Sequence, residues 1–217
     1  MLSLLTGKKI VMTAGRLAEP KGQWHLIRAF TVVAKRVPEA VLVILGTGEL
    51  KKYLEELVKR CNLEGRVIFA GYVSKPYQYE KYADVFVLSS LYEDFPNALA
   101  EVVCLGLPCI ATDFSAGARE ILAPEMKTEI KEIESIVEAE YGILTPICSG
   151  IQYADAKEPL EEPECFLTDA ICSMLTDESK QKFYGQKSSM RGERLKIETV
   201  IDKWVNVIEE SKDGERA

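Results

Sequence analysis

The chain has one histidine, His25, among 217 residues, which excludes a metal centre built mainly from imidazoles. It has six cysteines, at 61, 104, 109, 148, 165 and 172, but no Cys-x-x-Cys pair. That spacing excludes a zinc ribbon and a thioredoxin-type redox motif. Several of the cysteines fall in apolar runs and are expected to act as small buried hydrophobes in a reducing cytosol. Positive charge is not in excess: 27 Lys and Arg stand against 34 Asp and Glu, a net charge of −7. This argues against a nucleic-acid partner, though a local basic patch on an acidic body stays open. Long apolar runs are missing too. The longest, such as residues 40–45 and 85–88, have the length of strands and cannot span a bilayer. The opening Met1-Leu-Ser-Leu-Leu-Thr-Gly-Lys-Lys has neither the basic start nor the apolar stretch of a signal peptide. A cytoplasmic protein is expected. There is no internal repeat and no low-complexity tract.

What is present reads as a soluble, globular chain. Hydrophobic residues make up 47% and mean hydropathy is close to zero, which suits one large domain or two small ones. Residues 9–14 are a β-prone run, and 22–36 follow with Trp24, Ile27, Phe30 and Val33/Ala34 at helical spacing. After Pro38, residues 41–45 read as a strand apolar throughout. Gly46-Thr-Gly48 then opens a helix over about 49–61, with Leu50, Leu54, Leu57 and Val58 on one face. Strands are predicted at 67–70, 84–88 and 109–112, and helices at 77–82, 97–105 and 117–122. Uniformly apolar strands, each followed by a helix, predict a parallel sheet covered on both faces. The fold class is therefore α/β, a doubly wound, Rossmann-like parallel sheet.

Beyond residue 125 the pattern loosens. Residues 125–139 are charge-rich, with Ile130, Ile133 and Val137 at helical intervals, and read as an amphipathic surface insertion. A last short strand is expected at 141–144, ended by Pro146, then a polar loop over 153–164. Helices are expected at 166–175, 178–190 and 197–210, with a frayed tail after them. We divide the chain into a main domain, 1–190, and a closing helix and tail, 191–217.

In such sheets ligands bind beyond the carboxyl ends of the strands. Four loops there matter. In the first, Gly15 lets the backbone approach a ligand, while Arg16 and Lys21 place two cations at a strand end. That pairing suits a diphosphate leaving group; two solvated surface cations would look the same from this fragment alone. The second, Gly46-Thr-Gly48, reads equally as a tight strand-to-helix turn. The third, Gly71-Tyr72-Val73-Ser74, offers backbone groups to a nucleobase edge, or is an ordinary loop. The fourth runs Ser89-Ser-Leu-Tyr-Glu93-Asp-Phe-Pro-Asn97-Ala-Leu-Ala-Glu101. Asn97 or a neighbour is expected to cap the following helix, with Pro96 suited to its first turn. The exposed N–H groups there would favour an anion. Glu101, about one turn in, is an acceptor-only group that matches a ribose diol. Glu93 could accept from sugar hydroxyls or stabilise positive charge at an anomeric carbon. Two acids favoured by the helix dipole are the alternative.

Joined in order, these fragments resemble the donor domain of family 4 retaining glycosyltransferases. The match runs through Gly15-Arg16-Leu17 with Lys21-Gly22, Leu26-Ile27-Arg28-Ala29-Phe30, Gly46-x-Gly48-x-Leu50 and Val67-x-Phe69-x-Gly71. It continues in Tyr82-Ala83-Asp84-Val-Phe-Val-Leu-Ser89-Ser90, Glu93-x-Phe95-Pro96 with Glu101, Gly106-Leu-Pro108 and Arg119-Glu120-Ile121. It covers about residues 9–146 and weakens from Tyr153 onward.

The resemblance implies the C-terminal half of a GT-B architecture, two Rossmann-like domains facing a cleft. It implies metal-independent transfer of a sugar, with retained anomeric configuration, from a nucleoside diphosphate sugar, of UDP or GDP type, with no cofactor. The lack of an Asp-x-Asp motif agrees. By resemblance, Arg16 and Lys21 hold the diphosphate, Glu93 lies against the donor sugar and Glu101 holds the ribose. Gly15 and the turn at Asn97 and Ala98 approach sugar and phosphate, and the backbone at Val73 meets the base. Two departures stand out. Many members have glycine where this chain has Asp94, and members carry an N-terminal acceptor domain, for which the eight residues before Lys9 leave no room. The acceptor, a sugar, a lipid-linked sugar or another glycan, is unspecified, and any contact with the inner face of a membrane would come through that missing domain. A stand-alone nucleotide-sugar binder and a GT-B nucleotide-sugar epimerase are the alternative readings. The last helix, with Ile197, Val200, Ile201, Trp204, Val207 and Ile208, is expected to pack on the missing domain or on the sheet's own helices, and unpacked it would be an apolar patch.

Overall fold

The structure is a computed structural model that describes residues 5–126, 132–153 and 158–196, together with 199, 201 and 205. Its centre is a seven-stranded sheet of order β3-β2-β1-β4-β5-β7-β6. The strands are β1 (Lys9–Ala14), β2 (Ala40–Leu45), β3 (Val67–Gly71), β4 (Val85–Leu88), β5 (Cys109–Thr112), β6 (Val137–Glu138) and β7 (Ile143–Thr145). All pairings are parallel except that of β6 with β7. Between and after them lie α1 (Gln23–Arg36), α2 (Lys51–Arg60), α3 (Tyr77–Glu80), α4 (Asn97–Cys104), α5 (Ala116–Leu122), α6 (Glu162–Thr176) and α7 (Glu178–Leu195). The doubly wound sheet expected from the apolar strands is what forms.

The side-chain period of two sorts each strand into two cores. From β1, Val11 joins Leu42, Ile44, Val85 and Val87 under α1, α2 and α6. Its neighbours Ile10 and Met12 turn to the other face, with Val43, Phe86 and Leu88 under α4 and α5. Residues such as Leu42 and Ile44 are fully buried, each worth about 1.5–3 kcal/mol relative to exposure. The helices follow the same logic. α1 starts after Gly22, buries Trp24, Ile27, Phe30 and Val33, and stops at Val37 ahead of Pro38. α6 opens with a capping box between Glu161 and Glu164, and Asp177 caps α7 through Lys180 N at 2.9 Å.

Several expectations need correction. Residues 125–139 are not an amphipathic insertion throughout: Val137–Glu138 pairs antiparallel with β7, because the open edge of β7 offers unpaired backbone groups to it. Ile130 lies outside the described residues. The last parallel strand begins at Ile143 rather than Tyr141, since Tyr141 N donates to Leu122 O and turns the chain towards α5. The helix expected at 178–190 runs on to Leu195 as α7. Of the final helix, Ile197, Val200, Trp204, Val207 and Ile208 lie outside the described residues, while Ile201 and Val205 are exposed. The cysteines are not uniformly buried either. Cys109, Cys148 and Cys172 are, but Cys104 and Cys165 are exposed.

Candidate functional site

The chain builds outward from β1 to β3 in one direction and then returns to place β4 on the other side of β1. The reversal opens a crevice at the carboxyl ends of β1 and β4, where the loops singled out in the sequence converge. A cleft of about 480 Å³ lies to one side of it, beyond the carboxyl ends of β1, β2 and β3, lined by Ala14, Gly15, Arg16, Leu45, Gly46, Thr47, Gly48, Tyr72, Val73 and Pro76. Three of the four loops therefore meet in one hollow, with Gly15, Arg16 and Val73 among its walls.

Two glycines make that convergence possible. At Gly46, φ is +134° and a Cβ would sit 1.9 Å from Gly15 O, so the β2 loop touches the β1 loop backbone to backbone. At Gly22, φ is +56° and a Cβ would fall 2.4 Å from Ser89 O. This left-handed residue lets the segment carrying Lys21 lie against the end of β4. Leu91 N donates to Pro20 O at 2.7 Å and Ser89 Oγ to Lys21 O at 3.2 Å, which fixes the fourth loop against the first.

The cations divide at this point. Arg16 is exposed and pairs with Glu49 at 3.2 Å, with the two side chains 73% and 55% exposed. Such a pair is worth about 0–1 kcal/mol and yields readily to a stronger anion. Lys21 is mostly buried and pairs through Nζ with Glu93 Oε2. The other Glu93 oxygen accepts from Ser90 Oγ, and Ser90 O in turn accepts from Thr112 Oγ1 at 2.6 Å. Glu93 is thus held from β5 through Ser90, a support with no signal in the sequence beyond a serine pair at a strand end. A second such support is buried Gln23, whose Nε2 donates to Arg16 O at 2.9 Å. Lys21 also runs close behind the cleft wall, since a Cβ on Gly15 would meet its Cε at 3.4 Å.

Lys21, Glu93, Asn97, Ala98 and Glu101 are not part of the cleft lining. They sit beside it, Lys21 on the first loop, Glu93 on the fourth loop, and Asn97, Ala98 and Glu101 on α4. Of the expected cap, Asn97 or a neighbour, the neighbour Pro96 takes the position, but no side chain caps α4. The cause is local: Asn97 is already inside the helix, one position past the cap, and proline has no side-chain acceptor to offer. Asp94 does not need the glycine common at its position. Asn62 is the one non-glycine with positive φ among the described residues, so the backbone at Asp94 is open to any side chain. Instead the close approach falls at Gly117, where a Cβ would meet Asp94 O at 2.5 Å. The start of α5 is fixed under this loop by the buried bidentate pair of Arg119 with Asp113.

Glu101 is exposed on α4, and behind it lies a group that the sequence did not flag. Glu80 at the end of α3 is 1% exposed, and neither carboxyl oxygen has a hydrogen-bond partner. Burial, and then the nearby charge of Glu101, push Glu80 up to about 7. Around the cleft, no group of three His, Cys or carboxylate side chains converges among the described residues; the one such group is His25, Cys148 and Glu161, elsewhere in the molecule. No helix among the described residues is long and apolar enough to cross a membrane.

Comparison with known proteins places this geometry in context. The family model described as "Glycosyl transferases group 1" matches residues 2–139. An uncharacterized glycosyltransferase of Methanocaldococcus jannaschii is 41% identical over 202 residues, 92% of this chain and 49% of that protein. The N-acetylgalactosamine-N,N'-diacetylbacillosaminyl-diphospho-undecaprenol 4-alpha-N-acetylgalactosaminyltransferase of Campylobacter jejuni is 29% identical over 84% of this chain and 42% of its own length. The chain thus spans about half the length of the curated relatives it matches. Among solved structures, the Anabaena protein HepE in complex with UDP aligns with a TM-score of 0.73 at 20% identity, over 95% of this chain and 50% of its own. The C-terminal domain of a group 1 glycosyl transferase from Francisella tularensis aligns with a TM-score of 0.63 at 23% identity, over 85% of this chain and 84% of its own. These likenesses extend the Rossmann-like fold to GT-B glycosyltransferases.

Proposed function

This chain belongs to the group 1 glycosyl transferases, and from that membership we propose that it is the donor-binding, C-terminal half of a retaining family 4 enzyme. The donor is a nucleoside diphosphate sugar, of UDP or GDP type. The observation that carries the reading is the convergence of Gly15, Arg16, Gly46, Gly48 and Val73 on one cleft at the carboxyl ends of β1, β2 and β3, with the Lys21–Glu93 pair beside it.

In this reading the base enters near the Val73 backbone and the ribose diol is met by Glu101. The diphosphate lies across Gly15 to Arg16 and Lys21, beside the turn at Asn97 and Ala98. Arg16 exchanges Glu49 for phosphate at little cost because its present pair is exposed. Lys21 exchanges one anion for another without leaving its place. Both cations then neutralise the charge that grows on the diphosphate as the glycosidic bond breaks, the point at which fixed charges contribute most. Glu93, released from Lys21 and still held by Ser90, accepts from hydroxyls of the sugar. The acceptor hydroxyl comes from an N-terminal domain across the cleft. We place the reaction in the cytoplasm, with any membrane contact made through that domain, and keep residues 1–190 as the donor domain with 191–217 as its closing segment.

Ligand-observed NMR with uridine, guanosine and adenosine diphosphate sugars tests this. Saturation transfer to the nucleotide protons of one base class, displaced by the matching nucleoside diphosphate, is the expected result. No transfer from any of the three would remove the donor-site reading.

A further inference from the structure

α3 is a single turn, Tyr77–Glu80, set between β3 and β4. Its two ends face different parts of the molecule. Pro76, the residue at its cap, lines the cleft together with Tyr72 and Val73. Glu80, its last residue, is turned inward and 1% exposed, and neither carboxyl oxygen has a hydrogen-bond partner. The two ends are joined directly. Glu80 N donates to Pro76 O at 3.0 Å, and Tyr79 N reaches the same oxygen at 2.8 Å. The wall of the cleft is thus hydrogen-bonded to the backbone of a buried acid.

The surroundings of that acid give a negative charge no support. α4 presents Glu101, whose own charge opposes a second one. β5 presents Cys109, whose thiol is kept neutral because burial pushes it well above its ordinary range, with Ser188 of α7 beside it. Within α3, Tyr77 is exposed and Tyr79 half-buried. Lys81, just past it, is exposed and lies over the Tyr82 ring at 5.1 Å. Burial and Glu101 act on Glu80 in the same direction, and among the described residues no cation offsets them.

An uncharged Glu80 tolerates this position. A charged one does not, because a buried carboxylate without a partner is costly, and a one-turn helix has little cooperative strength to hold it there. The charge reaches water when Glu80 swings outward. That movement gives up the bond from Glu80 N to Pro76 O and the bond from Ala83 N to Glu80 O at 2.8 Å. Pro76 is released with it.

We propose that Glu80 is a proton-operated support of the cleft: uncharged, it holds Pro76 and Val73 in the shape that receives the nucleoside, and on ionising it lets that wall go, so that donor binding weakens as pH rises. The inference rests on the donor-site reading and names a control of that site. Glu80 touches no ligand; it is a positioning residue that acts through Pro76. Because its carboxyl is pushed up to about 7, the uncharged fraction, and with it the apparent affinity, falls about tenfold between pH 6 and pH 8. By linkage the ligand tightens the hold of Glu80 on its proton, so binding at pH 8 draws in about one proton per donor.

The test is calorimetric titration of the full chain with uridine diphosphate glucose and with guanosine diphosphate glucose at pH 6, 7 and 8, in buffers of differing ionisation heat. The phosphates of these donors are diesters and do not titrate in this interval. The parent should lose about tenfold in affinity from pH 6 to pH 8 and take up about one proton at pH 8. Glu80→Gln should keep the parent's pH 6 affinity throughout and take up none. A residue that only fills the core would change stability without moving this profile. The proton uptake is measured on the parent and covers the case in which Glu80→Gln fails to fold. Equal affinity at pH 6 and pH 8, a parent-like loss in Glu80→Gln, or binding at pH 8 without proton uptake would overturn the proposal. Absence of binding by either donor at pH 6 would instead remove the donor-site reading on which it rests.

Discussion

Lys21 and Glu93 are 72 positions apart in sequence and meet as an ion pair, with their side chains only 20% and 13% exposed. One belongs to the loop after β1 and the other to the loop after β4, the two strands that flank the switch point. Any anion that takes Lys21 must part it from Glu93, and any sugar that engages Glu93 must do the same. The pair therefore couples the two ends of the proposed donor. Replacing Glu93 by Gln should leave Lys21 without its counter-charge, so that a bare nucleoside diphosphate binds as tightly as before or more tightly. The preference for the sugar-bearing donor over the diphosphate should shrink. Competition titrations of the two ligands on parent and Glu93→Gln protein measure this. A variant that loses the diphosphate and keeps the sugar preference would break the link between these residues and their assigned partners.

Gly46 carries the contact between the β1 and β2 loops. Adding a methyl group there combines a disfavoured φ with a clash against Gly15 O. Gly46→Ala should lower stability by on the order of 2–4 kcal/mol and weaken nucleoside binding, because the cleft wall must shift. Urea denaturation with nucleoside titration checks both effects together.

Glu80 makes stability depend on pH in a defined sense. Its folded value, about 7, lies above the ordinary carboxyl value of 4.5, so the folded state holds the proton more tightly than the unfolded one. Stability from this group is complete below pH 4.5 and is lost as pH rises through about 7. Glu80→Gln removes the charge and should stabilise the chain by about 1–3 kcal/mol at pH 8, with no such gain at pH 4. Thermal melts of both proteins across that interval are the measurement. A constant difference at every pH would show that titration of Glu80 is not involved.

Transfer should require more than this chain. Holding an acceptor hydroxyl at near-attack distance contributes on the order of 7–11 kcal/mol, and in a two-domain cleft that positioning comes from the opposite side. The chain by itself should bind the donor and transfer nothing. Turnover should appear when an N-terminal acceptor domain is supplied in cis or in trans. Steady transfer by the isolated chain would contradict the division of labour proposed here.

How far the sequence carried can be judged from particular elements. β1 and β5 match their predicted limits because apolar runs bounded by lysine, glycine or proline admit one reading. That Gly15, Arg16 and Val73 would gather at one cleft was legible because the loops after parallel strands all lie at the same end of the sheet. β6 was not legible: two residues carry no period, and its partner is an edge that exists only once β7 is in place. A cap by Asn97 was not excluded by the sequence, because propensity favours asparagine, while in the fold Asn97 lies one position inside the helix and Pro96 takes the cap. Ser90, Thr112, Gln23 and Glu80 were invisible for a different reason. Their roles depend on contacts that only the folded chain creates, between β4 and β5, α1 and the first loop, α3 and α4.

The most direct test of the donor-site account is a calorimetric titration of the chain with the preferred nucleoside diphosphate, in buffer without magnesium or manganese and again with each added. The account predicts saturable binding of equal affinity in all three. It also predicts a loss of about 1.5–3 kcal/mol for either Arg16→Ala or Lys21→Ala, while the bare nucleoside binds as it does to the parent. Binding that appears only with magnesium or manganese, or that survives both substitutions unchanged, would contradict it.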